Sequence, residues 1–171
     1  MLLTSIFALL CISGAYSQWI NNWDQTFTYS CPNHKAIYAL VSTHDNHYED
    51  RRWRLPCYKS FSQGVSHWTN HYVNDFDKYF QFVCPHNYVI TGMSALHSNH
   101  HEDRRYKFRC SLYVGRYQTA CQWTGYLNQF DQSLHYHVPS THFLTGIQSY
   151  HSNHYEDRRF SARICKFVAS R

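Results

Sequence analysis

One string of chemistry-bearing residues occurs three times in this chain: HDNHYEDRRW from His44, HSNHHEDRRY from His97 and HSNHYEDRRF from His151. Each copy sets imidazoles, an amide, at least two carboxylates and two guanidinium groups within one short span, and three chemistries compete for such a set. In the first, acid and arginine pair as the chain runs into a strand, while Asn and Asp hold the loop through side-chain to backbone hydrogen bonds. Asp50, Arg51, Asp103, Arg104, Asp157 and Arg158 then form structural ion pairs, Arg104 with Glu102 or Asp103, in loops that must satisfy whatever polar groups they bury. In the second, three equivalent ligand sites form from His44, Asn46, His47 and Glu49, from His97, Asn99, His100 and Glu102, and from His151, Asn153, His154 and Glu156. Amides and carboxylates would bond hydroxyl groups there, and Tyr48, Tyr155 or a neighbouring aromatic would stack on a sugar face. The third makes His44 and His47 with Glu49, and their counterparts, metal ligands. Two arginines beside the acids argue against a cation, so neither metal nor cofactor is expected.

Catalysis finds little support. No G-x-S-x-G, H-E-x-x-H or P-loop string is present, and every cysteine outside the N-terminal segment is better used in a bridge than as a nucleophile. Triplicated binding loops suit a repeated β fold, whereas triplicated catalytic centres in so small a chain do not. A non-enzyme is expected.

The elements that position these strings are themselves repeated. The copies lie 53 and 54 residues apart, and upstream of them Trp23-Asp24 matches Phe76-Asp77 and Phe130-Asp131. Likewise Cys31-Pro32 matches Cys84-Pro85 and Val138-Pro139. Units of about 53 residues follow, at roughly 18–65, 66–117 and 118–171. Within a unit the apolar period is 2: FTYSC, FQFVC and LHYHV alternate, as do Arg51, Trp53, Leu55 and Cys57. AIYALVS, VITGMSA and FLTGIQS add a third strand to each unit. The composition, 18% aromatic with 15 Tyr, 11 Phe and 5 Trp, favours strands as well. The expectation is an all-β fold of pseudo-threefold symmetry, β-prism-like or β-trefoil-like, stapled by disulfides.

The apolar run from Leu2 to Gly14 is too short to span a bilayer and reads as the core of a signal peptide, residues 1–17, cleaved after Ala15-Tyr16-Ser17. Residues 18–171 are then one secreted, extracellular domain. Six cysteines remain in it, and the repeat reduces their possible pairings: Cys31 with Cys57 and Cys84 with Cys110 are equivalent, which leaves Cys121 for Cys165. Each unit is thereby expected to be a disulfide-closed module, with ~3 to 4 kcal/mol from each bridge. Nearly all of the 11 acidic residues fall at repeat-equivalent positions. The formal charge of +5 therefore resides in the other basic residues, such as Lys35, Arg54, Lys59, Lys107, Arg109, Arg116 and Lys166, as contacts for acidic glycans or phosphates. Outside the cell the available polyanions are glycans, proteoglycans and anionic lipid head groups, not nucleic acid. Membrane contact would be peripheral, and assembly into an oligomer is compatible with all of this.

Tyrosine-rich units with E-D-R-R-[aromatic] followed closely by a cysteine, together with the opening WINNWDQTFTYSCP, resemble the dermatopontin family, most nearly its invertebrate hemagglutinin and aggregation-factor branch. The resemblance covers residues 18–171. It implies a secreted protein of extracellular matrix or haemolymph that promotes adhesion, aggregation or agglutination and has no catalytic activity. Vertebrate members are associated with collagen, proteoglycans and integrins, and this chain carries no Arg-Gly-Asp. A structural matrix protein holding collagen or proteoglycan is the alternative reading, and a secreted cytolysin the next.

Overall fold

The computed structural model describes residues 18–170; the expected signal peptide, with Cys11, lies outside them. The described residues form thirteen strands and no helix. Unit 1 contributes β1 (Phe27–Ser30), β2 (Lys35–Ala36), a hairpin of β3 (Ala39–Asp45) and β4 (Asp50–Arg54), then β5 (Lys59–Ser60) and β6 (Gln63–Trp68). Unit 2 contributes β7 (Phe80–Val83) and a longer hairpin of β8 (Tyr88–Ser98) and β9 (Asp103–Tyr113), and β10 (Arg116–Trp123) runs across its boundary into unit 3. Unit 3 supplies β11 (Leu134–His137) and the hairpin of β12 (Phe143–Ser152) and β13 (Asp157–Ala169). The segments with period 2 are these strands, because alternate side chains of a strand face opposite sides. Phe27, Phe80 and Leu134, each first in its short strand, are buried.

Pairing crosses the unit boundaries. β1 of unit 1 pairs with β8 of unit 2, β7 of unit 2 pairs with β12 of unit 3, and β11 of unit 3 returns to β3 of unit 1, all antiparallel. The cycle closes, and the units are interlocked rather than self-contained. The sheets run β1-β8-β9-β6, β10-β13-β12-β7 and β11-β3-β4, beside a small β2-β5 ladder. Each repeated string caps a hairpin: the last paired residues are Asp45 with Asp50, Ser98 with Asp103 and Ser152 with Asp157. Glu49, Glu102 and Glu156 end those turns in the left-handed region, with φ of 44°, 43° and 43°.

Trp53, Tyr106 and Phe160, the aromatic residues that close the three strings, meet in the middle of the core. Their ring centroids are 6.4, 5.0 and 6.0 Å apart for Trp53–Tyr106, Trp53–Phe160 and Tyr106–Phe160, and every pair is edge to face. This geometry sets the positive edge of one ring on the negative face of the next, worth about 0.5 to 1.5 kcal/mol per pair beyond the area buried. Ile37, Leu40, Ile90, Met93, Leu144 and Ile147 surround them. A second cluster around Phe61 and Phe143 is closed by Tyr113 and Phe167.

Disulfides join Cys31 to Cys57, Cys84 to Cys110 and Cys121 to Cys165. The first two tie the end of a short first strand to its own unit's hairpin exit, and because that first strand lies in the next unit's sheet, each bridge links two sheets. Cys121 and Cys165 instead lie on β10 and β13, neighbours in one sheet. In unit 3 Val138 replaces the first cysteine, and Ile164 lies as far beyond Glu156 as Cys57 lies beyond Glu49. Both are buried in the main core cluster, at the positions where the other two units carry a bridge. Truncating the central aromatic cluster should be costly: Phe160→Ala is expected to lower unfolding free energy by about 3 to 5 kcal/mol. Tyr58→Ala, at an exposed ring, should change it by less than about 0.5 kcal/mol in the same urea titration.

Candidate functional site

The Asp and first Arg of each string are buried, and they pair between units rather than within a string. Arg104 donates through Nε and Nη2 to Asp50 at 2.6 and 2.7 Å, Arg158 to Asp103 at 2.5 and 2.7 Å, and Arg51 to Asp157 at 2.6 and 2.6 Å. Three bidentate pairs thus make a closed ring, each arginine reaching the aspartate of the preceding unit. The expectation that Arg104 pairs with Glu102 or Asp103 of its own string is corrected: the fork of each guanidinium meets a carboxylate presented by a different hairpin.

The ring also holds the turn that leads into each first strand. Asp50, Asp103 and Asp157 accept from the backbone N–H of Asp24, Asp77 and Asp131 at 2.8, 2.8 and 2.9 Å. Arg104, Arg158 and Arg51 donate to the carbonyls of Gln25, Lys78 and Gln132, each at 3.0 Å. Burial alone would raise the Asp50 carboxyl, but His97 and Arg104 outweigh it and hold it at about 2; Asp157 is held at about 2 in the same way by His44 and Arg51.

The residues grouped by sequence as one ligand loop separate into two environments. His44, His97 and His151 turn inward, their side chains 0%, 0% and 1% exposed, and so do not belong to a surface site. Glu49, Glu102 and Glu156 line a small cavity of about 20 Å³ above the ring, room for about one water. Partial burial raises the Glu49 carboxyl, His44 works against this, and Asp131 and Glu156 add to it. Glu102 is raised by burial, lowered by His97 and raised again by Asp24, Glu49 and Glu156. Asn46, His47, Asn99, His100, Asn153 and His154 stay exposed at the hairpin tips.

The second Arg of each string points the other way, out of the core, and is interleaved with aromatic rings. Arg52 lies 5.1 Å from the Trp19 ring centre and 4.4 Å from that of Trp23, on which Tyr48 stacks at 5.5 Å. Arg105 lies 4.6 Å from Tyr72 and 5.6 Å from Phe76, on which His101 stacks at 4.7 Å. Arg159 lies 4.3 Å from Tyr126 and 5.8 Å from Phe130, on which Tyr155 stacks at 4.7 Å. Each ladder is half-buried and ends beside an exposed hairpin tip.

Two sets of residues escaped the sequence reading. Trp19, Tyr72 and Tyr126 supply the outer rings of the ladders. Asn21, Asn74 and Asn128 are buried and lock the chain onto the hairpin: their Oδ1 accepts from the N–H of Trp53, Tyr106 and Phe160, and their Nδ2 donates to the carbonyl of Arg51, Arg104 and Arg158. The signal for both was present, since the asparagines stand three positions before Asp24, Asp77 and Asp131 in the same alignment.

Interlocked hairpins, a buried ring of ion pairs and disulfide staples define an all-β protein with its polar chemistry split between an inner ring and outer ladders. The chain belongs to the dermatopontin family, whose profile matches residues 21–169. It is 41% identical over 164 residues to the hemagglutinin/amebocyte aggregation factor of Limulus polyphemus, covering 94% of this chain and 92% of the relative. It is 42% identical to Millepora cytotoxin-1 of Millepora dichotoma over 85% of this chain, and spans 65% of that protein's length. Dermatopontin of Biomphalaria glabrata is 33% identical, with 86% and 99% of the two chains covered. No solved structure matches.

The two arginines of one string should behave differently on replacement. Arg104→Ala strands the Asp50 charge in the interior and should cost about 3 to 5 kcal/mol, while Arg105→Ala should cost about 1 kcal/mol or less; chemical denaturation compares them. A pH titration of stability tests the ring as a whole. Because the folded pKa of Asp50 and Asp157 is about 2, below the usual 3.8, their contribution is complete at neutral pH and disappears as pH falls from about 5 toward 2. Each should account for about 2 kcal/mol of that loss.

Proposed function

We propose that this is a secreted, non-catalytic adhesion or aggregation protein that binds cell-surface glycans or anionic head groups at several like sites at once. The observation that carries the reading is the outward ladder of arginine between aromatic rings, present once per unit. A ring face suits the apolar face of a sugar, the guanidinium suits a carboxylate, sulfate or phosphate, and the two are held together in advance. Hairpin-tip amides and imidazoles, Asn99 and His100 in unit 2, stand beside each ladder to bond hydroxyl groups. The name of the Limulus relative, a hemagglutinin and aggregation factor, supports the same reading.

Secretion belongs to this proposal: three disulfides suit an oxidising compartment, with residues 1–17 as the signal peptide and 18–171 as one domain. So does a pseudo-threefold arrangement of the units. The cyclic strand pairing supports it, and the division of strands into separate sheets favours a prism-like form over a trefoil. Two other readings have an observation behind them. Exposed Tyr58, Tyr79, Tyr117 and Tyr126 could hold collagen or proteoglycan in a matrix role, and the Millepora relative is named a cytotoxin.

Agglutination of red cells by ladder variants tests the proposal. Several weak sites on one body raise avidity by roughly 10² to 10⁴ over a single site. Arg105→Gln alone should weaken agglutination modestly, a double variant steeply, and Arg52→Gln with Arg105→Gln and Arg159→Gln should abolish it while the protein stays folded. A folded triple variant that agglutinates normally overturns the ladder assignment. Lysis in place of clumping would select the cytotoxin reading, and binding to collagen without agglutination the matrix reading.

A further inference from the structure

The three outward ladders are built alike, but their cations are not equally committed. In unit 2, Arg105 donates from Nε to the carbonyl of Asn74 at 3.2 Å and has Asp75 within 3.4 Å, while Lys107 donates to the carbonyl of Asn70 at 3.3 Å. In unit 3, Arg159 donates to the carbonyl of Asn128 at 3.1 Å and to the Tyr150 hydroxyl at 3.2 Å. Unit 1 differs. Nε of Arg52 and Nε of Arg54 are buried and make no hydrogen bond. Among the described residues the arginine ion pairs are those of Arg51, Arg104, Arg105 and Arg158, so neither Arg52 nor Arg54 has an acid.

Three breaks in the repeat account for this. Asn22 stands where unit 2 has Asp75 and unit 3 has Gln129, so the acid beside the arginine is missing. Thr43, the cross-strand neighbour of Arg52, stands where the longer Tyr150 reaches Arg159. Arg54 matches Lys107 and Ser161, so unit 1 has two guanidinium groups where unit 3 has one. Both lie against Trp19, Arg52 at 5.1 Å and Arg54 at 5.7 Å from its ring centre, and Arg52 lies also 4.4 Å from that of Trp23. Contact with a ring face holds a guanidinium in place but satisfies none of its five hydrogen-bond donors. Two residues apart on β4, Arg52 and Arg54 project from one face of the strand about 7 Å from each other.

We propose that the ladder of unit 1 is a dedicated site for a doubly anionic saccharide, a sulfated polysaccharide, with Arg52 and Arg54 each holding one anionic group of the chain and Tyr48, 40% exposed, offering a ring to a sugar face. The inference rests on reading the ladders as the recognition surface and adds that the three are unequal. Guanidinium forks suit sulfate and carboxylate alike. A polymer with one carboxylate per disaccharide engages one of the two cations, and a sulfate added to the same disaccharide brings in the other. An alternating row of cations and rings along a strand suits a chain. A bilayer is gripped by apolar groups that reach beyond the charges, whereas Trp19 and Trp23 are half-buried beneath theirs.

The experiment titrates the secreted chain, without cells and at one fixed salt concentration, with chondroitin sulfate and with hyaluronan fragments of equal length, binding being read by calorimetry. Chondroitin sulfate should bind the tighter. Arg54→Gln should weaken it about tenfold and hyaluronan far less, Arg52→Gln should weaken both, and Arg159→Gln should change either by less than about twofold. Two further variants leave every ring and cation in place. Asn22→Asp gives unit 1 the acid of unit 2 and should weaken chondroitin sulfate, while Asp75→Asn releases Arg105 and should strengthen it; an unchanged Tm shows that each is folded. The ladder reading as a whole fails if the polysaccharide binds and no ladder variant alters it. The present inference alone is overturned if Arg105→Gln or Arg159→Gln costs as much as Arg54→Gln, if hyaluronan binds as tightly as chondroitin sulfate, or if Arg52 and Arg54 are needed for phosphatidylserine vesicles and not for the polysaccharide.

Discussion

Three buried Asp–Arg pairs, each joining one unit to the next, are the constraint on which the rest of this structure hangs. A pair of opposite charges taken out of water gains little net stability over an apolar pair of the same size, because desolvation offsets the attraction. Its strength lies in what happens when it is broken: a single charge left in the interior costs several kcal/mol. Here each carboxylate has its guanidinium fork and a backbone N–H, and each guanidinium has a backbone carbonyl as well. No member can move without stranding another, so the hairpins are fixed in one relation, and the turns at Asp24, Asp77 and Asp131 send each first strand across to its neighbour.

That constraint explains why so many functions fall within one short string. Along unit 1, Glu49 reaches the cavity rim, Asp50 and Arg51 enter the ring, Arg52 turns out into the aromatic ladder and Trp53 returns to the core. The sequence poses a choice between a structural motif and a ligand site, and in the fold Asp50 and Arg51 serve the buried ring while Arg52 faces outward. The ladders are held in place by the same backbone whose inner face carries the ring and the packed aromatics.

Departures from the repeat fall where the ring does not depend on them. Buried Val138 and Ile164 stand where the other units carry a bridge, Cys121–Cys165 closes a different loop within one sheet, and Leu134 stands where Phe27 and Phe80 lie under Arg104 and Arg158 at 5.7 Å. In every unit the Asp, both Arg, the buried Asn and the following aromatic are kept.

The sequence by itself determined what local physics decides. Alternation of apolar residues located the short first strands and the hairpins, because a strand's two faces meet different surroundings whatever its neighbour. Repeat spacing placed each cysteine opposite one partner, because the loops are closed within a unit. Cys165 is the case that needed elimination, since its bridge has no copy. What the sequence left open was which copy of the string each Asp and Arg would use. Three nearly identical segments have the same local preferences, so nothing in them says that Arg104 belongs to Asp50 and not to Asp103. The same ambiguity hid the inward turn of His44, His97 and His151, and the aspartates that face them from another unit. Only the tertiary structure settles such pairings, because they are made across chain separations of tens of residues by charges that cannot stay buried unless every one of them is matched.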